Sequence, residues 1–339
     1  MAKLTIEELV KERVLVLDGA MGTMIQACGL SEDDFRGDVF RGVTGRLNGF
    51  CDLLCLSRPE VVAEVHRKYL EAGADVIETN SFNASGVSMT DAHVGEWCRE
   101  VNLQAARIAR GVADGFTERN PERPRFVAGA VGPTARSCFL PGDVVGLADR
   151  LVAPRRWVSF DELCVAYCEQ MEALLEGGVD ALLVETIVDL LGAKAAVEAA
   201  GRAMDVVGRR VPLMLSVTVS REGRLLSGHS LAEFVDSLRD AEVFSVGINC
   251  SYGAQQMKPF VRKLAALSPY YVSVYPNAGL PNRLGGYDET PEHMAQVMKE
   301  FVDEGLVNLV GGCCGTTERY IAALARMVEA SASGRTGGL

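Results

Sequence analysis

Three of the ten cysteines differ from the rest in their surroundings. Cys250 closes the apolar run that begins at Phe244, and Cys313 and Cys314 lie in Gly311-Gly-Cys-Cys-Gly-Thr-Thr317, just after the run Val307 to Val310. Three thiolates are a soft donor set suited to zinc. With three protein ligands, one of the four tetrahedral positions stays free for a substrate, unlike a closed structural site. Such a site carries a net charge of about −1, so it activates water poorly yet holds an incoming thiol as an electron-rich thiolate. That chemistry suits alkyl transfer to sulfur better than hydrolysis, which favours harder ligands and a more electrophilic metal.

Adjacent residues on a strand point to opposite faces, so Cys313 and Cys314 can share one ion only if the backbone turns sharply between them. Gly311, Gly312 and Gly315 permit that turn. Packed thiols beside a glycine loop would account for the Cys-Cys pair alone. A third cysteine at the end of another strand favours the metal. The remaining cysteines, Cys28, Cys51, Cys55, Cys98, Cys138, Cys164 and Cys168, read as small packing residues. Cys51 with Cys55 and Cys164 with Cys168 have ligand-like spacing, but no third and fourth ligand stands near either pair.

The elements that must carry these cysteines repeat along the chain. Short β-branched and leucine-rich runs recur at Val14 to Leu17, Asp75 to Thr79, Phe126 to Ala130, Ala181 to Val184, Leu213 to Val219, Phe244 to Ile248, Tyr271 to Tyr275 and Val307 to Val310. Unbroken runs of this kind suit parallel strands covered on both faces. Helical patterns lie between them at Pro59 to Ala72, Phe160 to Glu176, Leu190 to Val206, Leu231 to Ala241, Gln255 to Leu267 and Pro291 to Glu304. A helix also opens the chain, where Thr5 and Glu8 form a capping box. Glu71-Ala-Gly-Ala-Asp75, Glu176-Gly-Gly-Val-Asp180 and Asp303-Glu-Gly-Leu-Val-Asn308 each end a helix on glycine and enter a strand, as weak repeats of one αβ unit.

Eight such units predict an α/β fold, a (β/α)8 TIM barrel in a single domain, with a doubly wound open sheet as competitor. The positions of the polar motifs decide between them. An open sheet gathers its site at one switch point, whereas here motifs close nearly every strand: Asp18-Gly-Ala-Met-Gly-Thr23, Glu78-Thr-Asn-Ser-Phe82, Glu185-Thr186, Asn249-Cys250, Pro276-Asn-Ala-Gly279 and the Cys-Cys loop. The expected organisation is an N-terminal helix over 1–13, a barrel over 14–328 and a disordered tail over 329–339. Ala135 to Ser159 reads as a long loop over the barrel mouth.

Bulk properties exclude several classes of function. A 48% hydrophobic and 23% charged chain can bury a large core, and a net charge of −11 without a basic run argues against a nucleic-acid partner. Met1 to Val14 lacks the apolar core of an export signal, and no apolar run reaches the length of a membrane span. The cytoplasm, where thiols stay reduced, is the expected compartment.

Asp-Gly-Ala-Met-Gly-Thr, Glu-Thr-Asn-Ser-Phe, Gly-Ile-Asn-Cys, Pro-Asn-Ala-Gly-Leu-Pro-Asn and Gly-Gly-Cys-Cys-Gly-Thr-Thr, in this order over about residues 10 to 328, resemble the homocysteine S-methyltransferase family. Within it, Asn48 to Pro59 and Pro276 to Asn282 look like the homocysteine-binding domain of cobalamin-dependent methionine synthase. The resemblance implies that Cys250, Cys313 and Cys314 hold Zn2+, and that homocysteine sulfur takes the fourth position and accepts a methyl group from methylcobalamin. Asn277 is implied to fill that position when substrate is absent. Asp18 and Glu185 match positions that bind the substrate ammonium, and Gly19, Ala20 and Thr79 are candidates for contacts to its carboxylate. No corrinoid motif is present, so the cofactor is expected from a cobalamin-binding domain or protein. A betaine- or S-methylmethionine-dependent methyltransferase, and a non-catalytic zinc-stabilised binding module, are the alternatives. His229 departs from the family, which usually has glutamine there, and is expected at the start of the following helix rather than in the site.

Overall fold

The computed structural model describes residues 4–138, 156–283 and 285–335. Eight parallel strands form its centre: β1 (Leu15–Val16), β2 (Val76–Glu78), β3 (Phe126–Val131), β4 (Ala181–Ile187), β5 (Leu213–Val217), β6 (Ser245–Asn249), β7 (Tyr271–Tyr275) and β8 (Leu309–Val310). They pair in the order β1-β8-β7-β6-β5-β4-β3-β2, and a bridge between Leu17 and Val76 joins β1 to β2 and closes the ring. Around it run α1 (Ile6–Glu12), α2 (Pro59–Ala72), α3 (Cys98–Arg119), α4 (Phe160–Glu176), α5 (Leu190–Val207), α6 (Leu231–Asp236), α7 (Ala254–Leu267), α8 (Pro291–Asp303) and α9 (Glu318–Arg335). The fold is the (β/α)8 barrel.

Side-chain alternation divides the strands into an outer face packed on the helices and an inner face that fills the barrel. Leu15, Leu17, Val76, Phe126, Ala128, Ala181, Leu183, Met214, Tyr275 and Leu309 pack together inside. Ile6, Leu9 and Val10 of α1 join the same cluster, so the N-terminal helix plugs the floor of the barrel. The expected capping box starts it, with the Glu8 N–H donating to Thr5 Oγ1 and Glu8 returning the bond to the Thr5 backbone.

The three repeated junctions have a common physical basis. Gly73, Gly178 and Gly305 take left-handed conformations, with φ of 109°, 95° and 68°. The polar residue that follows then clamps the preceding strand at two points. Asp75 donates its N–H to Val16 O and accepts the Val16 N–H on Oδ2; Asp180 does the same with Val127, and Asn308 with Val272. Asp75 is wholly buried at the closing seam, where it also takes a bidentate bond from Arg13 at 2.7 and 2.8 Å, with Arg125 at 3.5 Å.

Several boundaries differ from those read from the sequence. Helix α3, 22 residues long, is absent from the expected helices: its average hydropathy is lower than that of the other long helices, and half of its buried face is alanine (Ala105, Ala106, Ala109, Ala113). Helix α6 ends at Asp236 instead of Ala241. The closing helix α9 continues to Arg335, through much of the stretch expected as tail, and 336–339 lie outside the described residues. Alanine and serine in that stretch tolerate helix. Of the expected mouth loop, 139–155 lie outside the described residues, and its flanks Arg136–Ser137 and Arg156–Trp157 form a short parallel pair.

The clamps predict a graded loss of stability. Asp75→Ala strands the half-buried Arg13, the buried Arg125 and the Val16 N–H, and should cost about 3 to 5 kcal/mol, whereas Asn308→Ala removes a neutral bond at about 1 to 2 kcal/mol. Urea unfolding of the two variants checks the order; equal losses would contradict the clamp account.

Candidate functional site

The carboxyl ends of the strands bring the three cysteines together. Cys250 follows β6, Cys313 and Cys314 follow β8, and their Sγ atoms all lie within 4.8 Å of one another, with Cys250 and Cys314 at 3.4 Å. Among the described residues this is the one cluster of three or more potential ligands from His, Cys, Asp and Glu. Sulfurs on a tetrahedral zinc, each about 2.3 Å from the ion, sit about 3.8 Å apart, so the trio suits a single ion.

Backbone conformation sets this convergence. Cys250 adopts φ +52°, which is uncommon for a side-chain-bearing residue, and its carbonyl accepts the Asn277 Nδ2–H at 3.3 Å. Cys313 donates its N–H to Pro276 O, and the Cys314 carbonyl accepts the Ala278 N–H, so the loop after β7 grips the cysteine pair on both sides. Of the three glycines expected to allow the turn, only Gly315 uses the left-handed region, at φ +81°. A Cβ there would lie 2.3 Å from Tyr287 Cγ, and one on Gly312 would lie 2.5 Å from Thr316 Oγ1. Gly311 and Gly312 are therefore required for close approach, and Gly315 for both approach and conformation.

Left to themselves, three adjacent thiols compete for one charge. Hydrogen bonds from Cys250 and Cys313 pull Cys314 down to about 3, while Cys313, donating to Cys250 and Cys314, is pushed up. Only a cation lets all three ionise together at such separations. The donor set therefore fits a thiophilic divalent metal.

Carboxylates share the mouth with the thiols: Asp18 follows β1, where its carbonyl accepts the Gly312 N–H, and Glu185 lies on β4. Asp18 is 3% and Glu185 7% exposed. Asp18 Oδ2 accepts the Glu78 N–H at 3.0 Å, and its Oδ1 is buried without a partner. Burial raises the pKa of Asp18, and it pushes Glu185 up to about 8 with help from the nearby Cys314. Asn277 is buried, and its Oδ1 also lacks a partner. The other expected contacts are partly spoken for: the Ala20 N–H donates to Thr316 Oγ1, and Thr79 Oγ1 accepts the Ala130 N–H and bonds Ser81. A Cβ on Gly19 would meet Thr316 Oγ1 at 2.9 Å, so close packing explains that glycine.

Two mouth residues carried no assigned role in the sequence reading. Asn249, wholly buried, accepts the Thr186 N–H and Ser216 Oγ–H on its Oδ1 and donates to Thr186 Oγ1 at 2.8 Å and towards Cys313 Sγ at 3.9 Å. It holds Thr186 in its left-handed conformation, φ +55°, and ties three strand ends to the cysteine cluster. Glu78 ends β2 beside Asp18. Both lie within polar motifs that close a strand, and the signal that marks them is the last inward position of that strand.

The remaining polar candidates fall elsewhere. Cys51 and Cys55 pack against the loop after β2, where Asn80 Nδ2 donates to Cys51 O and Cys55 Sγ donates to Asn80 O. Asp52 of the same motif accepts the Asn83 N–H, so Asn48 to Pro59 buttresses the loop that carries Thr79. Burial pushes His66 down to about 3, which keeps it neutral inside α2. His229 bonds Ser227 Oγ and precedes Ser230, the N-cap of α6, as expected.

Known proteins share this architecture. The crystal structure of the homocysteine methyltransferase MmuM from Escherichia coli in its metallated form is 25% identical, with a TM-score of 0.69 over 94% of this chain and 97% of that one. Its oxidized form gives the same values, and its apo form 24% identity and a TM-score of 0.65 over 95% and 98%. The profile of the homocysteine S-methyltransferase family matches residues 15–328, from β1 into α9, and the chain belongs to that family.

Proposed function

We propose that the protein methylates the sulfur of homocysteine to give methionine, with Cys250, Cys313 and Cys314 as zinc ligands. The observation that carries this reading is the meeting of three thiols and buried carboxylates at one barrel mouth. When bound, zinc would lower the pKa of the substrate thiol and keep its sulfur nucleophilic near neutral pH. The chain's own residues orient the substrate. Asp18 and Glu185 receive its ammonium, because carboxylates shielded from water bind a cation with hydrogen bonds and charge together. Gly19, Ala20 and Thr79 lie beside Asp18 and β2 and are assigned to its carboxylate. Asn277, whose buried Oδ1 has no partner, is assigned to the fourth zinc position in the absence of a thiol.

For the methyl donor we favour methylcobalamin carried by another domain or subunit. Support comes from Asn48 to Pro59 and from Pro276 to Asn282, whose sequences resemble the corrinoid-dependent branch. A second reading has a specific observation behind it: the chain aligns with the homocysteine methyltransferase MmuM over 97% of that protein's length, which supports the betaine- or S-methylmethionine-dependent alternative at least as well. Incubating the zinc-loaded protein and homocysteine with each donor in turn separates them by the methionine formed. Methylcobalamin alone should support turnover. Turnover with betaine or S-methylmethionine instead would reverse the donor assignment, and none with any donor would contradict the function.

The cysteine loop yields a second expectation. Gly315→Ala forces a methyl group into the Tyr287 ring and a side chain into left-handed backbone, so zinc affinity should fall at least about tenfold. Chelator competition measures it, with far-UV circular dichroism unchanged. Wild-type affinity in this variant would show that the loop geometry does not set the metal site.

A further inference from the structure

Strand alternation places a third carboxylate in the mouth. On β2, Val76 packs in the barrel interior and Ile77 in the outer layer, so Glu78 faces inward. On β4, Ala181 and Leu183 face inward, so Glu185 does too, and its charge acts on both Glu78 and Asp18. Asp18 adjoins both: its Oδ2 holds the Glu78 N–H, and its Oδ1 is buried with no partner. Burial raises the pKa of Glu78, and the negative charges of Glu185 and Asp18 raise it further. The charges that act on the three acids come from one another and from Cys314, and no cationic side chain contributes among the described residues.

Two buried acids, a half-buried third and an unmatched acceptor call for a cation that brings its own N–H donors. A primary ammonium has three N–H bonds, one for each carboxylate. A quaternary ammonium has none and leaves such acceptors unsatisfied. We propose that Glu78 is the third arm of the ammonium site, a specificity-determining residue that, with Asp18 and Glu185, selects the α-ammonium of homocysteine. This assignment rests on homocysteine being the substrate.

The test compares homocysteine with 4-mercaptobutanoate, which keeps the thiol and carboxylate but lacks the amino group, by calorimetry on zinc-loaded protein. In Glu78→Gln, homocysteine affinity should fall about 10- to 100-fold and 4-mercaptobutanoate affinity less than about twofold. Unchanged homocysteine affinity, or equal losses for both thiols, would overturn the assignment. Should that variant not fold, Glu78→Asp decides in the same way, with an expected loss of about 3- to 10-fold for homocysteine only. Wild-type protein that binds no homocysteine would overturn the substrate reading and this assignment with it.

Discussion

Mutual repulsion among three sulfur anions is the constraint on which the mouth of this barrel depends. Cys250, Cys313 and Cys314 come from two strand ends that are not neighbours in the sheet, and their Sγ atoms gather within 4.8 Å. Without a cation, ionising all three at that range is strongly unfavourable. The fold nevertheless holds them there, through a left-handed Cys250, a glycine loop tightened against Tyr287 and Thr316, and backbone bonds from the loop after β7. A backbone conformation that costs of order 1 kcal/mol at Cys250 is one expected at a binding site.

The two ends of the barrel divide the work. At the floor, α1 fills the interior and the Asp75, Asp180 and Asn308 clamps lock strand to strand, so stability is concentrated away from the chemistry. At the mouth, the last inward residue of several strands is polar: Glu78, Glu185, Ser216 and Asn249. Such a ring costs desolvation energy that the apolar interior beneath it offsets. Thiols and buried acids that share one mouth suit the sulfur and the ammonium of an amino-acid thiol.

Much of this was legible in the sequence because parallel strands buried on both faces leave unbroken apolar runs. The polar motif after each run then marks the carboxyl end. The three cysteines could be grouped on that basis, although 64 residues separate Cys250 from Cys314. What stayed hidden depends on facing. Nothing in Glu78-Thr-Asn-Ser-Phe82 says that Glu78 points inward until the register of β2 beside β3 is known. Asn249 likewise looked like a neighbour of a ligand, not a hub of four hydrogen bonds. The junction repeats were visible, but the reason for their terminal Asp or Asn is a bond to the previous strand, far away in the chain. Helix α3 escaped because its many charged and small residues keep its average hydropathy low.

X-ray absorption at the zinc edge of the metal-loaded protein, recorded with and without homocysteine, tests the central claim most directly. Three sulfur neighbours rising to four on addition of homocysteine is the predicted result. Four protein sulfurs from the outset, or a count that homocysteine leaves unchanged, would contradict a metal site open to a substrate thiol.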